Sequence, residues 1–271
     1  MQVAQIMFED AQALLWPSLF VFATCILLEW IVSRAKGISL YEGKDVLCNL
    51  GIFVGARISQ PLFVGYTFYC LRFLESVRPW ELPNTIATTV VAVVLTDLAY
   101  YWEHRLSHTT RLLWFFHEVH HSSRSFNLTT SFRLHWLGRL VAPLIFAPLI
   151  LLGFSANQVV LFLFANLIYQ FFLHTKLVGK LGWLEGIINT PSAHRVHHAR
   201  NTIYLDKNFG GILMLWDRLF GTYQAEFEEP EFGVLGHFRS NNPFTVQFHK
   251  VPGYAALAGR MQQVVRFCKG S

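Results

Sequence analysis

The sequence predicts an all-α protein. It reads as a polytopic membrane helical bundle of three full spans plus a short helical hairpin, with a histidine-rich helical cap on the cytoplasmic face. Three observations lead there. Of 271 residues, 53% are hydrophobic and 14% charged, against roughly 45–50% and about 25% in an average soluble domain. Several apolar runs approach the roughly 20 residues that cross about 30 Å of hydrocarbon. Most of the twelve histidines fall in groups spaced three and four apart, which is the period of a helix and not of a strand.

The first span is read at about 13–32, ALLWPSLFVFATCILLEWIV, with Trp16 and Trp30 where interfacial aromatics belong. No basic n-region and no small-residue cleavage site precede it, only Glu9 and Asp10, so it is read as a retained anchor. The second span, 47–71, is interrupted by Arg57 and Pro61 and is expected to pack against protein more than lipid. The third covers 85–102. Two shorter runs, 140–153 and 157–173, form a hairpin (140–173) that dips into the bilayer and returns, its first limb broken by Pro143 and Pro148. The histidine boxes, 104–121 and 194–198, lie beyond the ends of these runs. The stretch from about Val251 reads as an amphipathic helix or a frayed tail. With no repeat, low-complexity tract or Gly/Ser linker, residues 1–271 are read as a single domain.

Arg34, Lys36 and Lys44 lie between the first two spans, so the positive-inside bias places the N-terminus outside. The third span then delivers 103–139, and the hairpin 174–271, to the cytoplasmic side. A bacterial inner membrane and the endoplasmic reticulum both fit. The net charge of +5 is scattered among apolar runs with no basic block to track phosphates, so nucleic acid is not an expected partner. Cys25, Cys48 and Cys70 fall in apolar runs and Cys268 in the tail, without CxxC or a disulfide framework.

Eight histidines make three groups: His104 and His108 (HRLSH), His117, His120 and His121 (HEVHH), and His194, His197 and His198 (HRVHH). Residues three and four apart share a helix face, so each group projects its imidazoles one way. Thr190 and Pro191 read as N-cap and first residue of the helix bearing the third group. Chance does not repeat HxxHH twice, so the groups read as metal ligands. Eight imidazoles exceed the roughly four ligands of one zinc ion. Two metals are therefore implied, each with four or five nitrogens and an open position, a set that suits iron binding dioxygen. His174, in LIYQFFLHT, is a candidate ninth ligand, and His135, in SFRLHW, a candidate further one. Asp97, seven residues before His104, is either an acceptor that orients an imidazole or a partner of Arg57 inside the bundle. His237 and His249 are expected to be solvated.

The order HxxxH, HxxHH and a later HxxHH on hydrophobic spans, from about Asp97 to Tyr223, resembles the fatty acid hydroxylase and sterol desaturase superfamily. HHSSRSFNLTTSFR from His120, YQFFLHTKLVGKLGWLEGIINTPSAHRVHHARN from Tyr169 and DKNFGGILMLWDRLFGTYQAE from Asp206 are most similar to its alkylglycerol monooxygenase branch. The resemblance implies a centre of two iron ions that activates dioxygen to hydroxylate or desaturate an unactivated C–H bond of a lipid. In that branch the substrate is an ether lipid and the reductant tetrahydrobiopterin; elsewhere it is a fatty acyl chain or sterol. After Arg133 the chain reads Leu134, His135, Trp136, nearer to the fatty acid hydroxylase and sterol desaturase pattern. Gln170 stands four residues before His174, where some hydroxylases of the superfamily carry a further histidine.

No GxGxxG or haem-attachment motif is present, so electrons are expected from a donor protein or a diffusible reductant. The lipid is expected to enter from the bilayer into an apolar cavity lined by Phe162, Phe164 and Phe171. Two other readings compete. His117, Glu118 and His121 also spell HExxH, a zinc-protease signature in which the glutamate is the general base, with Asp206 as an acidic third ligand. Arg195 at the corresponding place in HRVHH argues against it. A non-enzymatic metal carrier would place ionisable groups at mid-membrane, whereas these boxes lie beyond the spans.

Overall fold

The computed structural model describes residues 2–236 and 238–254, with backbone alone for 2–16. The expectations for His237, for the Trp16 side chain and for the tail past Tyr254 lie outside the described residues. Among those residues the fold is helical, with isolated β-bridges but no strand. Three helices are long and apolar enough to cross a membrane: α1 (Gln2–Ala35, apolar from Pro17), α2 (Gly43–Val77) and α3 (Ile86–Thr109). They are followed by α4 (Arg111–His121), α5 (Ala142–Leu151), α6 (Ala156–Phe171), α7 (Pro191–His198), α8 (Leu215–Leu219) and α9 (Pro243–Phe248).

Each of the three spans extends past its apolar run, because a helix ladder needs backbone partners and not hydrophobicity to continue. The prolines do not interrupt. α1 runs through Pro17, α2 through Pro61 and α5 through Pro148, while Pro143 sits in the first turn of α5, where its missing N–H has no partner to lose. Arg57 does not pair with Asp97. It lies on the exposed side of α2, donating to Gln60 (2.7 Å) and stacking over Phe53, and Ile58 and Leu62 beside it face outward. The second span is therefore half lipid-facing.

Residues 142–171 form the hairpin, but it reaches deeper than a dip. Leu82, in the connection between α2 and α3, donates its N–H to Gly153, and Arg78 donates to the carbonyls of Gly153 and Phe154. The turn thus sits at the ends of α2 and α3 remote from the histidines. Gly153 has φ +101°, and a Cβ there would crowd Leu82 and Trp80, so glycine is required. Ser155 caps α6 reciprocally with Gln158. α6 runs parallel to α3, with Gln158 near Thr89, Asn166 bonded to Asp97 and Gln170 bonded to Tyr100. Where α2, α3, α5 and α6 meet, Leu71, Ala92, Phe146, Ile150 and Val159 form the main apolar core.

α1 is held at its end by a buried carboxylate. Glu29 accepts the Leu128 N–H (2.8 Å) and the Tyr41 hydroxyl, and Phe22 stacks on Phe171 at 4.1 Å. A second buried charge fixes the turn after α4. Arg133, fully buried, donates to Asp45 (2.8 Å) and Asn49 (2.9 Å) of α2 and to Ser122 (3.0 Å) at the end of α4. With Nη2 donating to the Ser240 carbonyl (3.4 Å), each of its three guanidinium nitrogens finds an acceptor, which is the condition for such a group to be buried.

Candidate metal centre

The helices that carry the boxes form where local sequence allows. α3 continues past its apolar run to Thr109, carrying His104 and His108. α4 restarts at Arg111 after a break at Thr110 and carries His117, His120 and His121. Thr190 caps α7, accepting from the Ala193 N–H (3.1 Å), with Pro191 as its first residue. His174 stands just beyond α6, its Nδ1 2.8 Å from the Gln170 carbonyl.

Nine imidazoles converge in two groups. His104, His108, His117, His121 and His197 bring ring nitrogens within 4.8 Å of one another; so, separately, do His120, His174, His194 and His198. The partition follows helix geometry. In each HxxHH the first and last histidines, four apart, share one group: His117 and His121 in one, His194 and His198 in the other. The middle histidine crosses over, His120 to the second group and His197 to the first. The groups share a wall, since His121 stacks on His198 at 4.4 Å.

The hydrogen bonds settle which nitrogen carries the proton. A carbonyl only accepts, so the Nδ1 of His104 (to Phe209, 2.9 Å), His174 (to Gln170) and His197 (to Lys207, 3.0 Å) must each be N–H. Their Nε2 atoms then carry lone pairs directed inward. His174 Nε2 meets the Nε2 of His120 at 3.2 Å and of His194 at 3.0 Å, and His117 Nε2 meets those of His104 and His121, both at 3.1 Å. His197 Nε2, His198 Nε2 and His108 Nε2 are buried with no partner. Burial first, and neighbouring imidazoles second, hold His117, His120, His121, His194, His197 and His198 well below the ordinary histidine value. The rings are therefore neutral. Converging lone pairs on neutral, buried imidazoles fit metal cations, which are what such a donor set otherwise lacks.

Two carboxylates brace the segment that supplies the carbonyl orienting His104. Asp217 accepts the N–H of Phe209 (2.8 Å) and Gly210 (2.7 Å). Asp97 accepts those of Ile212 (2.9 Å) and Leu213 (3.2 Å), the Trp216 indole (2.9 Å) and the Asn166 amide (3.0 Å). Residues 209–213 are thus pinned from both sides, and Phe209 offers its carbonyl to His104. Asp97 therefore bonds neither an imidazole nor Arg57, and acts on His104 through this backbone. A Cβ on Gly211 would collide with Asn166, and one on Gly210 with Leu213 and Asp217. Asn208, at φ 58°, donates to Ala193 of α7 (3.0 Å) and Gln224 (2.7 Å).

The other candidates separate. Asp206, also left-handed at φ 56°, stands 3.5 Å from His108 Nδ1, and that contact holds its carboxyl below the usual range. The Gln170 side chain turns away to Tyr100 (2.8 Å) and Asn166. His135 lies outside both groups: Nε2 donates to Gln247 (3.1 Å) and Nδ1 accepts from the Leu137 N–H (3.0 Å). Both its nitrogens are committed, Nε2 tying α9 to the bundle and Nδ1 closing the local turn to Leu137. His249 is not simply solvated, for it stacks on Phe238 at 3.7 Å. Phe162 packs into the core, Phe164 faces outward and Phe171 stacks on Phe22, so the three do not line one cavity; two residues apart on a helix, Phe162 and Phe164 cannot share a face.

Arg195, fourth residue before Ala199, is bidentate to Glu226 (2.9 and 2.8 Å) and donates to the carbonyls of Thr175 (2.9 Å) and Val178 (2.7 Å). It locks α7 to the turn that carries His174. The sequence offers no signal for this, or for the roles of Asp217, Asn166 and Arg133, beyond polar residues in apolar surroundings. Glu118 is buried and ion-paired with Lys250, which occupies the carboxylate that the protease reading needs as a base. A cavity of about 260 Å³ opens over the five-histidine group, walled by His108, Trp114, His121, Asp206, Glu118 and Lys250.

Residues 89–222 match the family model for Fatty acid hydroxylase. The chain is 37% identical to alkylglycerol monooxygenase of Homo sapiens over 84% of its own length and 52% of that protein's. It is 35% identical to the Xenopus tropicalis alkylglycerol monooxygenase, over 88% and 54% respectively. An ornithine lipid hydroxylase of Rhizobium tropici is 32% identical over 49% of this chain and 41% of the relative. The chain thus spans about half the length of these two alkylglycerol monooxygenases. No solved structure matches it.

Proposed function

Because the chain belongs, through residues 89–222, to the fatty acid hydroxylase family, we propose that it is an integral-membrane, non-haem di-iron oxygenase that hydroxylates or desaturates an unactivated C–H bond of a lipid. The observation that carries this reading is the convergence of nine imidazoles in groups of five and four, with the proton held on Nδ1 and Nε2 left free in His104, His174 and His197. The ligands are His104, His108, His117, His121 and His197 for one ion, and His120, His174, His194 and His198 for the other. An alkylglycerol-type ether lipid is favoured among substrates by the breadth of the match to alkylglycerol monooxygenases; a fatty acyl chain or sterol is the alternative.

When bound, the iron pair supplies oxidising power toward dioxygen that no side chain here has. The chain's own groups do the rest. The carbonyls of Phe209, Gln170 and Lys207 hold the protons of His104, His174 and His197 on Nδ1, so each Nε2 stays free to bind. Asp97 and Asp217 keep the carbonyl-bearing segment from relaxing, and Asp206 does the same for His108 from the open side. Burial excludes water from the four-histidine group, while the cavity beside Trp114 and Lys250 leaves the five-histidine group reachable from the cap. A donor protein or diffusible reductant, tetrahydrobiopterin in the alkylglycerol monooxygenase branch, delivers electrons from that side, and the lipid arrives from the bilayer side. The boxes face the cytoplasm.

Elemental analysis of detergent-purified protein tests this first. About two irons per chain, absent when His120, His121, His197 and His198 are all alanine, is the expected result, since about nine nitrogens exceed one ion's needs. A single zinc with peptidase activity lost in Glu118→Gln would overturn it in favour of the protease. Metal flux into liposomes would overturn it in favour of a carrier.

A further inference from the structure

The cap of a membrane enzyme is ordinarily drawn as lying in water above the bilayer. The placement of α8 contradicts that for one side of this cap. Ile212, Leu213 and Trp216 all bond to Asp97 of α3. Asp97 lies five residues before Trp102, so about 8 Å deeper along the helix at about 1.5 Å per residue. Trp102, with Arg105 stacked over it at 5.4 Å, has the pairing of aromatic and cation that marks a membrane surface. The segment leading into α8 is therefore anchored below that surface, beside a spanning helix.

What this segment turns outward is apolar. Leu215 and Leu219, four apart on α8, are both exposed, Leu219 by 66%. Phe220 packs on Trp102 at 5.1 Å, so the patch is continuous with the outer surface of α3. The loop before α7 joins it: Met214 donates its N–H to Ile187 (3.0 Å) and Ile188 bridges Leu213, bringing exposed Ile187 and Trp183, 79% exposed, alongside. Arg218 would interrupt the patch, but its Nε donates to the Gly186 carbonyl and its guanidinium lies 4.7 Å over Tyr223. Lys180 is exposed next to Leu181 at the rim.

We infer that α8 and the loop 181–188 form a collar immersed in the interfacial layer of the bilayer, Leu215, Leu219, Ile187 and Trp183 contacting lipid acyl chains and Lys180 meeting anionic headgroups. Continuity with the spanning surface, the depth set by Asp97 and Lys180 at the rim identify lipid as the occupant. The collar shares its backbone with residues 209–213, so lipid contact and the carbonyl that orients His104 belong to one rigid segment.

The inference rests on the membrane spans and not on iron chemistry. It is tested with the full chain, its four cysteines changed to alanine, in nanodiscs of phosphatidylcholine with phosphatidylglycerol. A nitroxide is placed by Leu219→Cys, with Leu62→Cys on α2 and Glu228→Cys on the cap as references. Collisions with dissolved oxygen should fall between those at 228 and those at 62, and collisions with an aqueous nickel chelate should fall several-fold below those at 228. High chelate exposure at 219 with 62 protected overturns the collar and leaves the spans standing; chelate exposure at 62 overturns the spans as well. Low exposure to both reagents at 219 means a protein cover, and also overturns it. Should the cysteine-free chain not fold, the emission lost in Trp183→Phe gives a second reading: quenching of that component by dibrominated lipid, and not by acrylamide, is expected, and the reverse overturns the proposal.

Discussion

A neutral imidazole has one acceptor nitrogen, so what decides whether a histidine can hold a metal is where its proton is parked. Here carbonyls park it on Nδ1 for His104, His174 and His197. His135 has the same burial and lacks that freedom, both nitrogens being engaged with Gln247 and Leu137. The division into two groups gives a residue-level expectation. In the proposed two-iron centre His174→Ala removes a ligand from the four-histidine group alone, so iron content should fall from about two ions per chain toward about one, the five-nitrogen set exceeding the roughly four ligands an ion requires. Elemental analysis of the variant beside His117→Ala, which strikes the other group, checks the partition; loss of both ions from either variant would show one coupled site. The eight box histidines were legible because their spacing is local. His135, Asp97 and Arg195 were not, because their partners lie 112, 115 and 31 residues away.

At the scale of elements, the segment 207–217 and the α9 strap do most to shape the site. Gly211→Ala would press a methyl into Asn166 and push the pinned backbone off Asp97. Such overpacking costs about 1–3 kcal/mol, and displacing a carbonyl that orients a ligand lowers metal affinity roughly 10–100-fold. Competition against a chelator reads the second effect, and Gly179→Ala, where a Cβ meets nothing, should leave both unchanged. The strap gives a pH dependence. Burial holds His135 at about 4, below its ordinary 6.5, so the folded chain binds fewer protons there than the unfolded one. The stability this contributes is complete above the unfolded value and is lost as pH falls from 6.5 toward about 4. His135→Asn should therefore show a smaller drop in Tm between about pH 7 and about pH 5 than the wild type, in scans of the metal-loaded protein. A drop as large as the wild type's would place the acid sensitivity elsewhere.

At the scale of the whole molecule, the parallel course of α3 and α6 brings four histidine-bearing segments to one end. α3 delivers His104 and His108, α4 turns back with the second box, α6 ends at His174, and α7 closes over them. The same topology predicts an orientation. If the proposed orientation holds, with Arg34, Lys36 and Lys44 inside, a fluorescent protein fused after Ser271 should fold and fluoresce in a bacterial host, whereas an alkaline phosphatase fused there should be inactive. The opposite pair of results would invert the topology.

By itself the sequence determined that the chain is helical, that three helices are long and apolar enough to span a bilayer, and that eight histidines face common directions. Each of these depends on residues within a turn or two of one another, and local periodicity records them. Only the tertiary structure decided that the hairpin reaches the far ends of α2 and α3, that the middle histidine of each HxxHH serves the opposite group, and that Asp97 and Asp217 act on the site through backbone. These depend on contacts between segments distant in the chain, whose distances are fixed when apolar helices pack side by side and leave buried polar groups to find partners.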